Sequence, residues 1–344
     1  MRSTPLRAGE FVQVRSFAEI AATLDGRGEL DGVPFMPEML AYCGKHFEVW
    51  KRAHKTCDEA AGGVIREVKK AVHLKELRCS GEAHAGCDCG CALFWKEQWL
   101  KRIVSGVADR NSSCNGESPQ SAPAGETERS ALERIRRATR FARSEKEGEE
   151  LFSCQATEIT KFSRPLPWWN PAQYARDLLA RNVTVGEFVR GIFVGVFNKL
   201  RCWLGGTSVG GVCGVNGPTP RESLSLSPGD LVRIKPKEAI VATLDRRGKN
   251  RGLSFRAAMS SYCGKQYQVA RRVRRIIDPS SRRMRLLGEG SVILEGVVCT
   301  GSTRRFCPRM VYTYWRDIWL TKVVPAEPAP THARTLIPPV EEPV

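Results

Sequence analysis

Histidine is scarce in this 344-residue chain, with five copies, and acidic residues are outnumbered, 37 against 54 lysines and arginines. The signatures of the common enzyme classes are missing. There is no G-x-S-x-G elbow, no H-E-x-x-H, no P-loop, and no dinucleotide fingerprint opening a helix after a strand. No helix-turn-helix, RNA-recognition or zinc-finger pattern with accepted spacing occurs either. Long apolar runs are also absent. The start, MRSTPLRAGEFVQVRS, lacks the apolar core of a secretory signal. The most apolar window, 183–204, is broken by Glu187, Arg190, Lys199 and Arg201, and its longest uncharged run, Gly191 to Asn198, falls far short of the roughly 20 residues that span a bilayer. The expectation is a cytoplasmic chain without a transmembrane segment.

Cysteine is abundant by contrast. Thirteen copies, an odd number clustered beside histidines with no export signal, fit a reducing compartment and thiols used for metal or packing; a disulfide framework is the weaker reading. The length suits two domains with material between them, and the 42% hydrophobic content suffices for packed cores.

The organising feature is an internal repeat. Residues 8–103 align with 228–323 at a constant offset of 220 without insertion. Thr23-Leu24-Asp25 recurs as Thr243-Leu244-Asp245, Tyr42-Cys43-Gly44-Lys45 as Tyr262-Cys263-Gly264-Lys265, and Cys79, Cys87, Trp95 and Trp99 as Cys299, Cys307, Trp315 and Trp319. Each copy opens with a glycine-acid turn and an alternating run, GEFVQVR or GDLVRIK, that predicts a half-buried strand with Phe11 or Leu231 facing inward. AEIAATLD and EAIVATLD predict one or two helical turns before a glycine-rich turn, and the second half of each copy reads as strands. The Trp-x3-Trp segments suit a helix face and a strand equally. The predicted class is mainly β with α (α+β), as two duplicated small β-barrel-like domains. The opening strand and glycine-rich turn resemble SH3-like or KOW-like barrels, a likeness that implies a fold and no function.

Between the copies, 104–129 reads as a flexible linker, 130–204 as a helical insert, and 205–227 as a second linker; 324–344 reads as a proline-rich disordered tail. In the insert, Ser130 to Glu133 and Thr184 to Glu187 match capping boxes, and Asn170-Pro171 opens a helix through Leu179. The insert is expected to pack on the barrels, with peripheral contact to an anionic membrane as the lesser alternative.

The densest chemistry is CSGEAHAGCDCGC, Cys79 to Cys91. Zinc takes four sulfur or nitrogen ligands, and close spacing lets one loop supply several. Cys79, His84, Cys87 and Cys91 form such a set, with Cys57 as a ligand from a neighbouring strand and with His54 and Cys89 as alternates. An iron–sulfur cluster is the alternative cofactor. A cysteine nucleophile, Cys87 or Cys89 activated by His84 or His54, is the enzyme reading, disfavoured by the crowd of competing thiols. At the offset of 220, Cys57, His84, Cys89 and Cys91 become Ile277, Arg304, Arg309 and Val311, so these ligands belong to the first copy alone. His46 and His73 read as ordinary surface or core residues, and Cys114, Cys154, Cys202 and Cys213 as incidental.

Charge is unevenly placed. The first copy has 14 basic and 14 acidic residues; the second has 21 and 7. The basic runs of the second copy contain Arg271, Arg272, Arg274, Arg275, Arg282, Arg283 and Arg285. Together with Tyr262, Tyr267, Tyr312 and Tyr314 they suit phosphate contact and base stacking, so nucleic acid or another polyanion is the expected partner. The reading from sequence is a metal-binding tandem-repeat adaptor.

Overall fold

The computed structural model describes residues 4–103, 126–141, 150–204, 214, 219–288, 290–302 and 304–323. Most of both expected linkers, the tail, Cys114 and Cys213 lie outside these residues. The described chain is mixed α and β, with antiparallel sheets and few helices.

The first repeat builds a five-stranded antiparallel sheet in the order Trp95–Lys96, Ala71–Leu74, His46–Arg52, Phe11–Val14, Leu100–Arg102. The second repeats that order with Tyr312–Arg316, Ser291–Val298, Gln266–Arg272, Leu231–Ile234 and Leu320–Lys322. Register is shared to the residue. Val12 faces Phe47 and Arg102, and Val232 faces Tyr267 and Lys322. Even the irregularity in the second strand recurs, at Val49/Lys51 and Val269/Arg271.

The opening strand faces the opposite way from the sequence expectation. Phe11 is exposed, while Val12 and Val14 are buried, as are Val232 and Ile234. Period-two alternation puts Phe11 with Gln13 on one side and the two valines on the other, so the uniformly apolar side takes the core. The glycine-rich segment makes a tight hairpin, Glu29–Leu30 against Val33–Pro34, turned by Asp31 and Gly32 at φ 51° and 77°. Two successive positive φ angles are what a two-residue turn with right-handed strand twist requires, and Asp-Gly tolerates them. The Trp-x3-Trp segments are neither continuous helix nor continuous strand. A single 3-10 turn, Glu97–Trp99 or Asp317–Trp319, separates the fourth strand from the fifth. It turns both tryptophans of each copy into the core. The indole N–H of Trp99 donates to Thr23 Oγ1 at 3.1 Å and that of Trp319 to Thr243 Oγ1 at 2.9 Å, which keeps a buried donor satisfied.

The insert is less helical than expected. Its first helix is Glu126–Thr139, so it begins before Ser130 and the Ser130–Glu133 box lies inside it. Acidic Glu128 in the extra turn suits the positive end of the helix dipole. Residues 150–165 are not helical. Gln155 enters the first core, its side chain accepting from Phe94 N–H at 2.7 Å and donating to the carbonyls of Pro34 and Phe94. Ile135, Ile159 and Phe162 join the same apolar cluster. Ser163–Pro165 then pairs with Val64–Val68, extending the hairpin that Val64–Val68 makes with Lys55–Asp58. The helices Ala172–Leu179 and Val185–Trp203 form where expected, and the second is capped by Thr184 and Glu187 through reciprocal bonds. Residues 224–226, placed in the second linker, pack on the second core through Leu224 and Leu226.

Helix Ala172–Leu179 is fastened to the Lys55–Asp58 strand by a buried ion pair. Lys55 Nζ lies 2.6 Å from Asp177 Oδ2, with both side chains out of contact with water, and His54 Nε2 lies 3.2 Å from Asp177 Oδ1. Burial lowers the Lys55 pKa and the Asp177 carboxylate opposes that shift. Removing one member of such a pair strands a buried charge, a loss of about 3–5 kcal/mol, whereas an apolar pair can replace both. Asp177→Ala should therefore lower the denaturant midpoint strongly, and Lys55→Met combined with Asp177→Ala should recover most of the loss.

Candidate metal centre

The Cys79–Cys91 loop is shaped by its glycines. Gly81 sits at φ 83°, and a Cβ there would overlap the Cys87 carbonyl; Gly301 stands in the same relation to Cys307. Gly81 O accepts the amide protons of His84 and Gly86, and Cys79 N–H donates to Cys91 O at 2.8 Å. A turn this tight brings side chains of one short segment to a common side.

The loop does not stand alone. It lies under the hairpin of the other repeat: Cys87 Sγ accepts Ile277 N–H at 3.4 Å, and Asp88 Oδ2 accepts the amide protons of Arg274 and Arg275. The converse contact places Cys307 in a small apolar cluster with Cys57, Ile65 and Leu166. Position 307 corresponds to 87, and 57 to 277, so the repeats exchange the same two elements about a local pseudo-twofold axis. Gly86 beside Arg275 and Phe306 beside Lys55 are another such pair.

A cavity of about 460 Å³ lies at this seam. Its walls carry Cys79, His84, Cys87, Cys89 and Cys91 from the loop, Cys154 from the insert, and Cys299 and Arg309 from the second repeat. A larger cavity of about 760 Å³, between the Gly26–Gly28 turn and helix Glu126–Thr139, has no cysteine or histidine in its lining.

Within the seam the expected ligands fall into three groups. Among the described residues, Glu38, Cys79 and His84 bring one ligand atom each within 4.8 Å of the others. Cys79 Sγ is 3.9 Å from His84 Nδ1. Both Glu38 carboxylate oxygens are buried without a nitrogen or oxygen donor, and their neighbour is the Cys79 thiol. Burial, then the Glu38 charge, pushes the Cys79 thiol far up. Cys87, Cys89 and Cys91 form a second group. The contact with Cys89 brings Cys87 down to about 6 and lowers Cys91, while the same contacts and burial raise Cys89. Cys154 adjoins this group, its thiol pushed up to about 12 by burial. The third group is Cys57 with Cys307, where the Cys307 thiol holds Cys57 at about 6 and is itself raised. Arg309 is buried between the second and third groups and donates to Cys57 O at 2.9 Å.

Cys57 is thus placed beside Cys307, away from the Glu38 group. His54 is committed to the insert, with contacts to Gln173 O, Asp177 and Asn182. Cys43 and Cys263 pack against the two cores with thiols raised by burial, Cys43 to about 11. Sequence reasoning passed over Glu38, and treated Cys154 as incidental. Glu38 was discoverable, because its counterpart at the offset of 220 is Ala258, so it joins His84 among residues particular to the first copy. Cys154 carried no such signal, having no counterpart in the repeat.

The basic residues of the second repeat also divide. Arg272 bonds Asp317 at 2.9 Å, and Arg282 meets the fully buried Glu158 at 3.0 Å, so both are structural. Arg274, Arg275, Arg283 and Arg285 are exposed on the hairpin Arg275–Ile277 and Met284–Leu286 or beside it, and Arg271 is half-buried. Arg309, the counterpart of Cys89, is interior. The tyrosines are half-buried. Tyr262 donates to Val298 O and packs on Trp315, Tyr312 lies under the Arg78 guanidinium at 3.9 Å, and burial and the neighbouring Cys89 and Cys91 raise Tyr314.

No family model, curated protein or solved structure matches the chain.

His73 shows how a histidine outside the centre behaves. It is buried, donates from Nδ1 to Leu93 O at 2.9 Å, packs on Phe94 and has its pKa lowered to about 4 by burial. A folded pKa below the unfolded value of about 6.5 means full stability above that value. As pH falls from there to about 4 the unfolded chain takes the proton first, costing up to about 1.4 kcal/mol per pH unit. His73→Ile, which installs the residue of the second repeat, should flatten the acid limb of stability measured by urea unfolding between those pH values.

Proposed function

We propose that this chain is a metal-binding tandem-repeat module, with zinc held at the seam by Cys79, His84 and Glu38 and the fourth position taken by a neighbouring thiol, Cys91 or Cys154. The observation that carries this reading is the convergence of a sulfur, an imidazole nitrogen and a buried carboxylate that no other donor satisfies. Those are zinc's preferred ligand types, and a bound cation would satisfy Glu38 and expel the proton that burial otherwise holds on Cys79. Arg309 supplies a buried positive charge facing the thiolates, which suits a site richer in anionic ligands than the metal neutralises. The strand order, with the fifth strand beside the first and a 3-10 turn between the fourth and fifth, supports an SH3-like barrel for each repeat. The role proposed for the metal is structural: it ties loop, insert and second repeat together.

Metal analysis of the full chain should find about one zinc per molecule, as a four-ligand site predicts. Cys79→Ser and His84→Ala should remove it and lower the melting temperature, and Cys57→Ser should retain it. A colourless protein with no bound metal after reducing purification would sink the proposal. Brown protein carrying iron and sulfide would replace zinc by the cluster alternative.

A second contact is favoured by the exposed arginines of the second repeat's hairpin. In the first repeat the corresponding hairpin edge is covered by Ser163–Pro165, so the insert leaves only the basic copy open among the described residues. A polyanion such as nucleic acid is the proposed partner. Arg274→Glu with Arg285→Glu should weaken binding to single-stranded RNA or duplex DNA and reduce the slope of log affinity against log salt by about two. Equal affinity and slope in parent and variant would remove this contact.

A further inference from the structure

The helix Val185–Trp203 was expected to lie against the barrels, and it does so only at its start. Phe188 stacks on Phe306 of the second repeat with ring centroids 5.5 Å apart, and Gly191 abuts the same ring so closely that a Cβ would overlap it. Beyond that point the helix leaves the protein. From Ile192 to Trp203 every side chain whose exposure is described is open to solvent, including Phe193 at 71% and Trp203 at 83%.

The exposed residues are not scattered. At 100° per residue, Val189, Phe193, Val196, Phe197, Leu200 and Trp203 fall within about 120° of arc on the wheel, and Phe193 and Phe197 stack on each other. Arg190 and Arg201 fall together just beyond Phe197 at one border of this face. Trp168, Trp169 and Leu179, on the same insert, are exposed too. A water-facing helix of this composition is not a stable end state. What covers it must be apolar and continuous, and must tolerate or prefer positive charge at the border.

We infer that this helix is an interfacial anchor, laid in the plane of an anionic lipid surface. Charge argues for lipid over a protein partner: the border residues are arginines, the insert as a whole has 13 basic and 8 acidic residues over 130–204, and the chain carries +17. Trp203 at the helix end and Trp168 and Trp169 ahead of helix Ala172–Leu179 are of the type that settles at headgroup depth. The helix lies on the surface and does not span it, since among the described residues no helix is long and apolar enough to cross a membrane. The anchor is independent of the metal centre, with which it shares no residue.

The test is cosedimentation of the full chain with vesicles of phosphatidylcholine alone and of phosphatidylcholine mixed with phosphatidylglycerol. The parent should bind the mixed vesicles and bind the neutral ones more weakly. Phe193→Glu with Phe197→Glu should reduce binding by roughly tenfold or more, since charge on the apolar face opposes insertion. Because these side chains touch little of the protein, the variant should keep its thermal midpoint and metal content; Phe197→Glu alone provides a milder check. Arg274→Glu with Arg285→Glu should leave most vesicle binding in place, separating the anchor from the nucleic-acid contact. Binding by the double variant equal to the parent overturns the proposal, as does a parent that ignores anionic vesicles. If the parent is a dimer that the double variant makes monomeric, with no vesicle binding, a second copy covers the face instead.

Discussion

The structure depends on a reciprocal burial at the seam. Each repeat inserts its cysteine loop beneath the hairpin of the other, Cys87 under Ile277 and Cys307 beside Cys57. Either sheet alone has a core of its own, organised by a pair of buried tryptophans, but its loop and hairpin would face water. Joined, they enclose thiols in a space where charge is expensive and where proton sharing between sulfurs becomes the cheapest arrangement. Arg309 belongs to the same balance: an interior cation is tolerable there because thiols able to ionise surround it.

The insert breaks the symmetry that the seam would otherwise have. It completes the first core with Ile135, Ile159 and Phe162, caps the first hairpin with Ser163–Pro165, locks Lys55 with Asp177, and sends Cys154 into the cavity. The second repeat receives the Glu158–Arg282 pair, a backbone bond from Phe152 to Arg282, the packing of Leu166 on Cys307 with a bond from Arg305 to Leu166 O, and the contact of Phe188 and Gly191 with Phe306. One copy is thereby closed and furnished with ligands, while the other keeps an open, arginine-rich hairpin. Divergence of the duplicates is therefore spatial as well as chemical. Glu38 and His84, lost as Ala258 and Arg304, stand on the side that the insert seals.

Much of this was legible in the chain. The offset of 220 held through the pairings of the two five-stranded sheets, because a repeat that keeps its turn residues and core positions has little freedom to change register; in the hairpin it slipped by one residue, with Cys57 facing Ile65 but Ile277 facing Met284. The Thr184–Glu187 box marked a helix start correctly, since its two bonds are local. The Ser130–Glu133 box did not, because an equally favourable acidic turn precedes it and the pattern by itself does not forbid a longer helix. Phe11 was assigned inward on hydrophobicity alone, whereas the face is chosen by the whole alternation, in which Val12 and Val14 act together.

What the sequence alone determined was the duplication, the strand-rich character of each copy and the residues peculiar to the first. These are local or periodic properties, carried by spacing along one chain. Only the tertiary structure decided which thiols meet which, that Glu38 and Cys154 join them, that Arg309 turns inward, and that an apolar helix is left facing out. Those outcomes depend on where two copies and an insert touch, and contacts between segments a hundred or more residues apart leave no periodic trace in the sequence that brings them together.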